Sequence, residues 1–221
     1  MNKTLLSILF ILTFNTIYSQ QFEIGPNLGY GFVNIVDSKS DEDRAVIGDA
    51  LWNINFGLNA IYYFKNPKEQ TTGRIGLLYR SNKRGSISES NSENQFEFDS
   101  NTIGLFGGVA GNIGDGFIFN LDIGFGYNSL DNSDYYKGNL TQTEAFEDLN
   151  ENLEIKSNEI TFLYAIGLEK EITENRLKIF IELNGDAGIS KLNENDGTFR
   201  TQSLGFITGL RYIFDVRKKE K

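Results

Sequence analysis

The sequence predicts an all-β fold, an eight-stranded antiparallel up-and-down barrel that crosses a membrane. Three observations predict it. Apolar residues alternate with small or polar ones in eight separate segments, the charges in those segments fall on one face only, and the connections alternate between short and long. Composition agrees, because 23 Gly and 13% aromatic residues beside only 2 Pro and 1 Trp suit many strands joined by turns. No linker rich in Pro, Gly or Ser divides the 221 residues, so one domain is expected over residues 20–221, with a short basic tail at its end.

Ahead of that domain, Met1 to Ser19 reads as a secretory signal peptide. Lys3 supplies the positive n-region and Leu5 to Phe14 the apolar run. That run is about half the roughly 20 residues a spanning helix needs, and Ser19 is a small residue suited to cleavage. Cleavage there removes one positive charge, so the formal charge of −9 becomes −10 (−9 − 1), which argues against nucleic acid as a partner. With Cys 0, disulfides, thiolate metal sites, a cysteine nucleophile and a lipoprotein anchor are all excluded.

The first segment sets Phe22, Ile24, Leu28, Tyr30 and Phe32 against Glu23, Gly25, Asn27, Gly29 and Gly31. The second sets Trp52, Ile54, Phe56, Leu58, Ala60, Tyr62 and Phe64 against Asn53, Asn55, Gly57 and Asn59. The third carries Ile75, Leu77 and Tyr79 opposite Arg74, Gly76 and Arg80; the fourth carries Ile103, Leu105 and Val109 opposite Thr102, Gly104 and Gly108. The fifth is the most regular, with Phe117, Phe119, Leu121, Ile123, Phe125 and Tyr127 on one face and Ile118, Asn120, Asp122, Gly124 and Gly126 on the other. Ile160 to Leu168, Leu177 to Leu183 and Leu204 to Phe214 complete the eight, an even number that returns the chain to the side on which it began.

The connections Lys65 to Thr72, Gly111 to Gly116 and Lys170 to Arg176 are short, whereas Ile35 to Ala50, Ser81 to Gln95, Ser129 to Asn158 and Ser190 to Thr201 are long. Short turns on one side and long loops on the other are how barrels sit in a bacterial outer membrane, turns toward the periplasm. A soluble lipocalin-like barrel also alternates, but turns its apolar face inward. Charge sorting favours the membrane. Glu23, Arg74, Arg80, Asp122, Glu169, Lys178, Glu182, Asp186 and Arg211 all share the small-residue face, and the bulky face of the eight segments has no charge. A charge facing lipid at mid-depth costs about 2–4 kcal/mol for Arg or Lys. Aromatic belts are expected at Phe22, Phe64, Phe117, Tyr212 and Phe214 below and at Tyr30, Phe32, Trp52, Tyr79 and Tyr127 above.

The opening Gln21 to Phe32 (QFEIGPNLGYGF) and the ending Leu204 to Phe214 (LGFITGLRYIF) resemble the small outer-membrane β-barrel proteins common in Bacteroidetes, which are similar in design to the OmpX and OmpA barrels. The resemblance implies outer-membrane lipid as surroundings and recognition by the barrel-assembly machinery. Gly209, Tyr212 and Phe214 match the glycine and alternating aromatic positions of the terminal signal which that machinery reads. Ile207 stands where the signal usually has a polar residue, and Asp215 to Lys221 continue beyond it. More loosely, the chain resembles the PorT-like barrels of a secretion system, which would make it one part of an envelope machine with a protein partner at its long loops.

Catalysis is not expected. The barrel enzymes of the outer membrane, a phospholipase, a palmitoyl transferase, a deacylase and the omptin proteases, resemble one another in using histidine, and this chain has His 0. No spacing of carboxylates argues for an acid and base pair, and no cofactor or metal is expected. The acidic stretch containing Asp131, Asp134, Glu144, Glu147, Asp148, Glu151 and Glu154 lacks the EF-hand order of ligands and reads as a solvated loop, as does Asp37 to Asp43; Glu144 to Leu153 suits a short amphipathic turn of helix. The inner-face charges read instead as a structural ion network inside the lumen, formed by Glu23, Arg74, Arg80, Asp122, Glu169, Glu182 and Arg211, because buried charges need partners. At a strand tilt of about 40°, each residue climbs roughly 2.5 Å along the axis. Arg80, Asp122 and Glu182 are then expected at similar middle heights, and Arg211 lower, near Glu23 and Glu169. The expected role is structural or interactive, with a narrow solute channel as a rival.

Overall fold

The computed structural model describes residues 21–37, 49–87, 95–131, 136–137, 156–192 and 199–215. The segment Met1 to Ser19, most of the acidic stretches, the expected helical turn and the tail after Asp215 lie outside the described residues. Nine strands form: β1 (Gln21–Asp37), β2 (Asp49–Tyr63), β3 (Thr72–Ile87), β4 (Gln95–Gly114), β5 (Phe117–Asp131), β6 (Tyr136–Lys137), β7 (Asn158–Thr173), β8 (Leu177–Gly188) and β9 (Phe199–Asp215). The two-residue β6 caps the upper end of β4. The other eight pair antiparallel with their neighbours in chain order, and β1 pairs with β9, so the sheet closes into an up-and-down barrel.

The register fixes the dimensions. Following the paired residues once around, Phe22 leads through Tyr62, Ile75, Gly107, Ile123, Tyr164, Gly185 and Leu204 to Phe32, a stagger of ten residues (32 − 22). Ten residues over eight strands, at ~3.3 Å per residue and ~4.8 Å between strands, tilt the strands by about 40° and give a backbone radius of about 8 Å. Pro26, which has no N–H to donate, sits where the β1–β9 ladder skips Gly25 and Pro26, with the same register on both sides. At the lower rim, β4 turns into β5 through Gly114, Asp115 and Gly116 with φ of 114°, 50° and 75°, the backbone that a tight hairpin demands.

The bulky face of every strand points outward. Leu28, Tyr30, Ile54, Leu105, Ile123, Ile181 and Phe206 are exposed, while Glu23, Arg74, Asp122, Glu169 and Arg211 are buried inside. That is the reverse of the soluble lipocalin-like alternative. Aromatic contacts mark both ends of the apolar band: Phe22 with Phe214 at 5.8 Å and Tyr212 with Phe214 at 4.8 Å below, Tyr30 and Phe32 with Trp52 at 5.4 and 5.5 Å above. Phe32 stands about 25 Å above Phe22 at ~2.5 Å of climb per residue, the height of a lipid-facing band.

The strands outrun the segments expected from alternation. β3 continues to Ile87 and β4 begins at Gln95, so much of the connection expected from Ser81 to Gln95 is ladder, from Ser81 opposite Asn101 to Ile87 opposite Gln95. β1 likewise reaches Asp37, β2 starts at Asp49, β5 reaches Asp131 and β9 starts at Phe199. These ends rise above the aromatic belt, where the outer face carries Lys83, Asp99 and Asn101, all exposed. Outside the apolar band no hydrophobic period is required, so the pattern that reveals a strand disappears while the hydrogen-bonded ladder goes on.

On the inner face, two glycines of neighbouring strands face each other closely. A Cβ on Gly205 would lie 2.7 Å from the Gly31 Cα, and one on Gly31 would lie 2.6 Å from the Gly205 Cα. Gly205→Val is expected to destabilise the barrel by about 1–3 kcal/mol through overpacking. The check is the urea midpoint of the detergent-folded protein, and an unchanged midpoint would mean that the two strands do not approach this closely.

Candidate functional site

The lumen holds the chain's buried polar chemistry, and the register stacks it in two tiers. Glu23 on β1, Tyr63 on β2, Arg74 on β3, Glu169 on β7, Lys178 on β8 and Arg211 on β9 point inward within about 5 Å of the same height. Glu169 is their hub. It accepts from Arg74 Nη1 at 2.6 Å, Arg211 Nη1 at 2.7 Å and Lys178 Nζ at 3.3 Å. The Tyr63 hydroxyl, at 2.9 Å, and Asn120 Nδ2, at 3.1 Å, donate to it as well. Arg74 spans to the next height by gripping Asp122 with both Nε, at 2.8 Å, and Nη2, and Arg211 Nη2 reaches Glu182 at 2.6 Å. Lys178 also pairs with Glu23, which accepts in addition from Gln21 Nε2 at 2.5 Å.

Packing supports the cations as well as charge does. The Arg211 guanidinium lies 3.7 Å from the centroid of the Phe180 ring, and Lys178 Nζ lies 4.8 Å from that of Tyr63. Beside them, Ile61, Tyr63, Phe106, Ala110 and Ile118 form an apolar cluster with Leu78 against it.

The upper tier is built around Asp186 and Glu159. Arg84 holds Asp186 through two parallel bonds of 2.5 and 2.9 Å, and Ser203 Oγ donates to the same carboxylate at 2.8 Å. Glu159 serves the backbone. β8 ends at Gly188 while β9 continues upward, and Glu159 of β7 accepts the Thr201 N–H at 2.9 Å and its hydroxyl at 2.5 Å, substituting for the missing strand. Asn128 Nδ2 donates to Glu159 at 3.3 Å and accepts from the Thr102 hydroxyl at 2.7 Å.

Of the seven residues expected to form the network, the structure brings six into the lower tier: Glu23, Arg74, Asp122, Glu169, Glu182 and Arg211. Arg80 departs from the expectation. It lies 3.8 Å from Asp186 in the upper tier, not beside Asp122 and Glu182. Moving along paired residues from strand to strand adds about 3 Å of height per step, and that stagger lifts Arg80 some 8 Å above the other two. Sequence reasoning missed Tyr63, Arg84 and Glu159. Tyr63 and Glu159 were legible from parity, lying between the outward residues Tyr62 and Phe64 and just before Ile160; Arg84 fell in a stretch read as loop. The terminal-signal residues lie on β9, with Tyr212 and Phe214 exposed in the lower belt and Gly209 opposite Asn27 and Phe180.

Both ends of the lumen are covered. Below, the turn between β2 and β3 folds under the barrel, with Pro67 buried and Lys68 Nζ 2.5 Å from Glu171 of β7. Above, Val33, Ile35, Leu51, Phe98 and Leu130 point inward and are buried together with Leu192, whose backbone bonds to Lys156 and Phe199 at 2.8 and 2.7 Å. Between the tiers, a cavity of about 30 Å³ touches Asn59, Arg80, Phe106, Asp122, Glu182 and Asn184. It has room for about two waters. Among the described residues, no group of three or more Asp or Glu is placed to hold a metal ion.

No family model matches the chain, and no curated protein does. Solved structures do. Neisserial surface protein A is 14% identical, over 87% of this chain and 97% of that one, with a TM-score of 0.50. The outer membrane protein OprG of Pseudomonas aeruginosa is 9% identical, over 90% and 97%, also with a TM-score of 0.50. At such identities the likeness concerns the fold alone, and this chain has the closed eight-stranded antiparallel barrel of those outer-membrane proteins.

Proposed function

We propose that this chain is an integral outer-membrane protein with a structural or interactive role, non-catalytic, whose lumen is a sealed strut and whose outward loops are its working surface. One observation carries the reading: a band of exposed apolar side chains, about 25 Å tall between aromatic belts, surrounds an interior of paired charges. Water does not favour that arrangement and lipid does. Export by the signal at Met1 to Ser19 and recognition of Gly209, Tyr212 and Phe214 by the barrel-assembly machinery belong to the same reading, and an envelope protein is the partner proposed for the loops. The covered ends and the small mid-lumen cavity argue against the channel alternative.

The protein is expected in the outer-membrane fraction, as a band that shifts on a gel when the sample is boiled. In planar bilayers it is expected to show no steady unit conductance. A soluble, unshifted band would defeat the membrane reading, whereas steady conductance would defeat only the sealed lumen.

The same reading gives the lower tier a structural task. Arg74→Ala strips Asp122 and Glu169 of a partner they hold in a desolvated interior, and the expected cost is about 3–5 kcal/mol, read as a fall in the urea midpoint of the folded barrel. Arg80→Ala costs less, because among the described residues the carboxylate nearest it is 3.8 Å away. Equal midpoints for Arg74→Ala and the unaltered chain would rule out a load on the network.

A further inference from the structure

We propose that Lys170 and Phe117 form a binding site for the phosphate of an anionic phospholipid in the periplasmic leaflet; the inference rests on the membrane reading above. Lys170 is the one charge on the outward face of β7. On β7, Ile166, Leu168, Lys170 and Ile172 project outward in turn, all exposed, so a cation interrupts an apolar column that resumes beyond it with Ile172, 57% exposed. Ile113 of β4, 63% exposed, extends the same apolar skirt two strands away. The ammonium is thus set among lipid-facing side chains, at the height of the lower aromatic belt.

What surrounds it leaves a counter-charge to be supplied from outside. Lys170 Nζ sits 4.2 Å from the centroid of the Phe117 ring on the adjacent strand, where Phe117 and Lys170 are direct partners. The ring face holds the ammonium in place but does not neutralise it. The two carboxylates that flank it in sequence are engaged elsewhere: Glu169 is buried as the hub of the lumen, and Glu171 is taken by Lys68. Among the described residues Lys170 forms no ion pair. A long side chain that lays its stem on apolar surface and lifts its charge to the headgroup level meets phosphate there. A headgroup of net negative charge suits it better than a zwitterionic one, which brings its own cation.

The chain's single tryptophan, Trp52, lies in the upper belt, so the site can be given a reporter of its own. In a Trp52→Phe/Phe117→Trp background the indole keeps a ring under Lys170 and becomes the sole tryptophan. Vesicles of phosphatidylcholine containing brominated phosphatidylglycerol are expected to quench it as though the anionic lipid were enriched about fivefold over its bulk fraction, the preference one lysine gives near an anionic surface. Brominated phosphatidylcholine is expected to quench only in proportion to its fraction. Lys170→Gln should abolish the preference and Lys65→Gln, in the turn below, should leave it. Equal quenching by both lipids, or equal loss in the two lysine variants, overturns the site while leaving the barrel in its membrane; no quenching by either lipid overturns the membrane reading with it.

Discussion

Closure of β1 onto β9 is the constraint on which the rest of this structure depends. Inside a hydrocarbon layer each backbone N–H and C=O must find its partner within the protein, and a sheet with no edges satisfies them all. Once eight strands close with a stagger of ten residues, the tilt and radius follow, and with them the space left for side chains. A backbone radius of about 8 Å leaves little space among the described residues once Arg, Glu, Tyr and Phe side chains converge from opposite walls.

What fills that space is decided by polarity. The inner face cannot be made wholly of small residues without leaving voids, and in the lower tier long charged side chains fill it. They come from five strands and meet near one height, Glu169 holding Arg74, Arg211 and Lys178 together. In so dry a place each carboxylate is tolerable only because a guanidinium or ammonium group pairs with it. The same tier therefore fills the interior and links distant strands, and in the function proposed above it also closes the lumen against ions.

The upper tier solves a different problem, a rim of unequal height. β8 ends at Gly188 while β9 runs on to Phe199, which leaves the β8-side edge of β9 unpaired there while its other edge stays bonded to β1. Glu159 fills the gap by accepting the Thr201 N–H, and Gly188 leaves room for it, since a Cβ there would collide with the Glu159 carboxylate. Above this, the inward apolar residues from Val33 to Leu192 give the outward end a small core of its own.

The sequence by itself determined the strand count, the orientation of each face and the identity of most lumenal charges, because lipid and lumen impose opposite chemistry on alternate residues and the chain must record both. It gave no warning that strands run on above the apolar band, since there the outer face carries polar residues and no apolar column marks the ladder; Arg84, buried on the inner face of that extension, was hidden for that reason. Nor did it tell which charge meets which. Glu169 lies 95 residues from Arg74 and 42 from Arg211, and only the stagger of the closed sheet sets their heights. The pairing of Arg80 with Asp186 instead of Asp122 was decided by tertiary structure alone, because height in a barrel depends on strand position around the wall as much as on position along the strand.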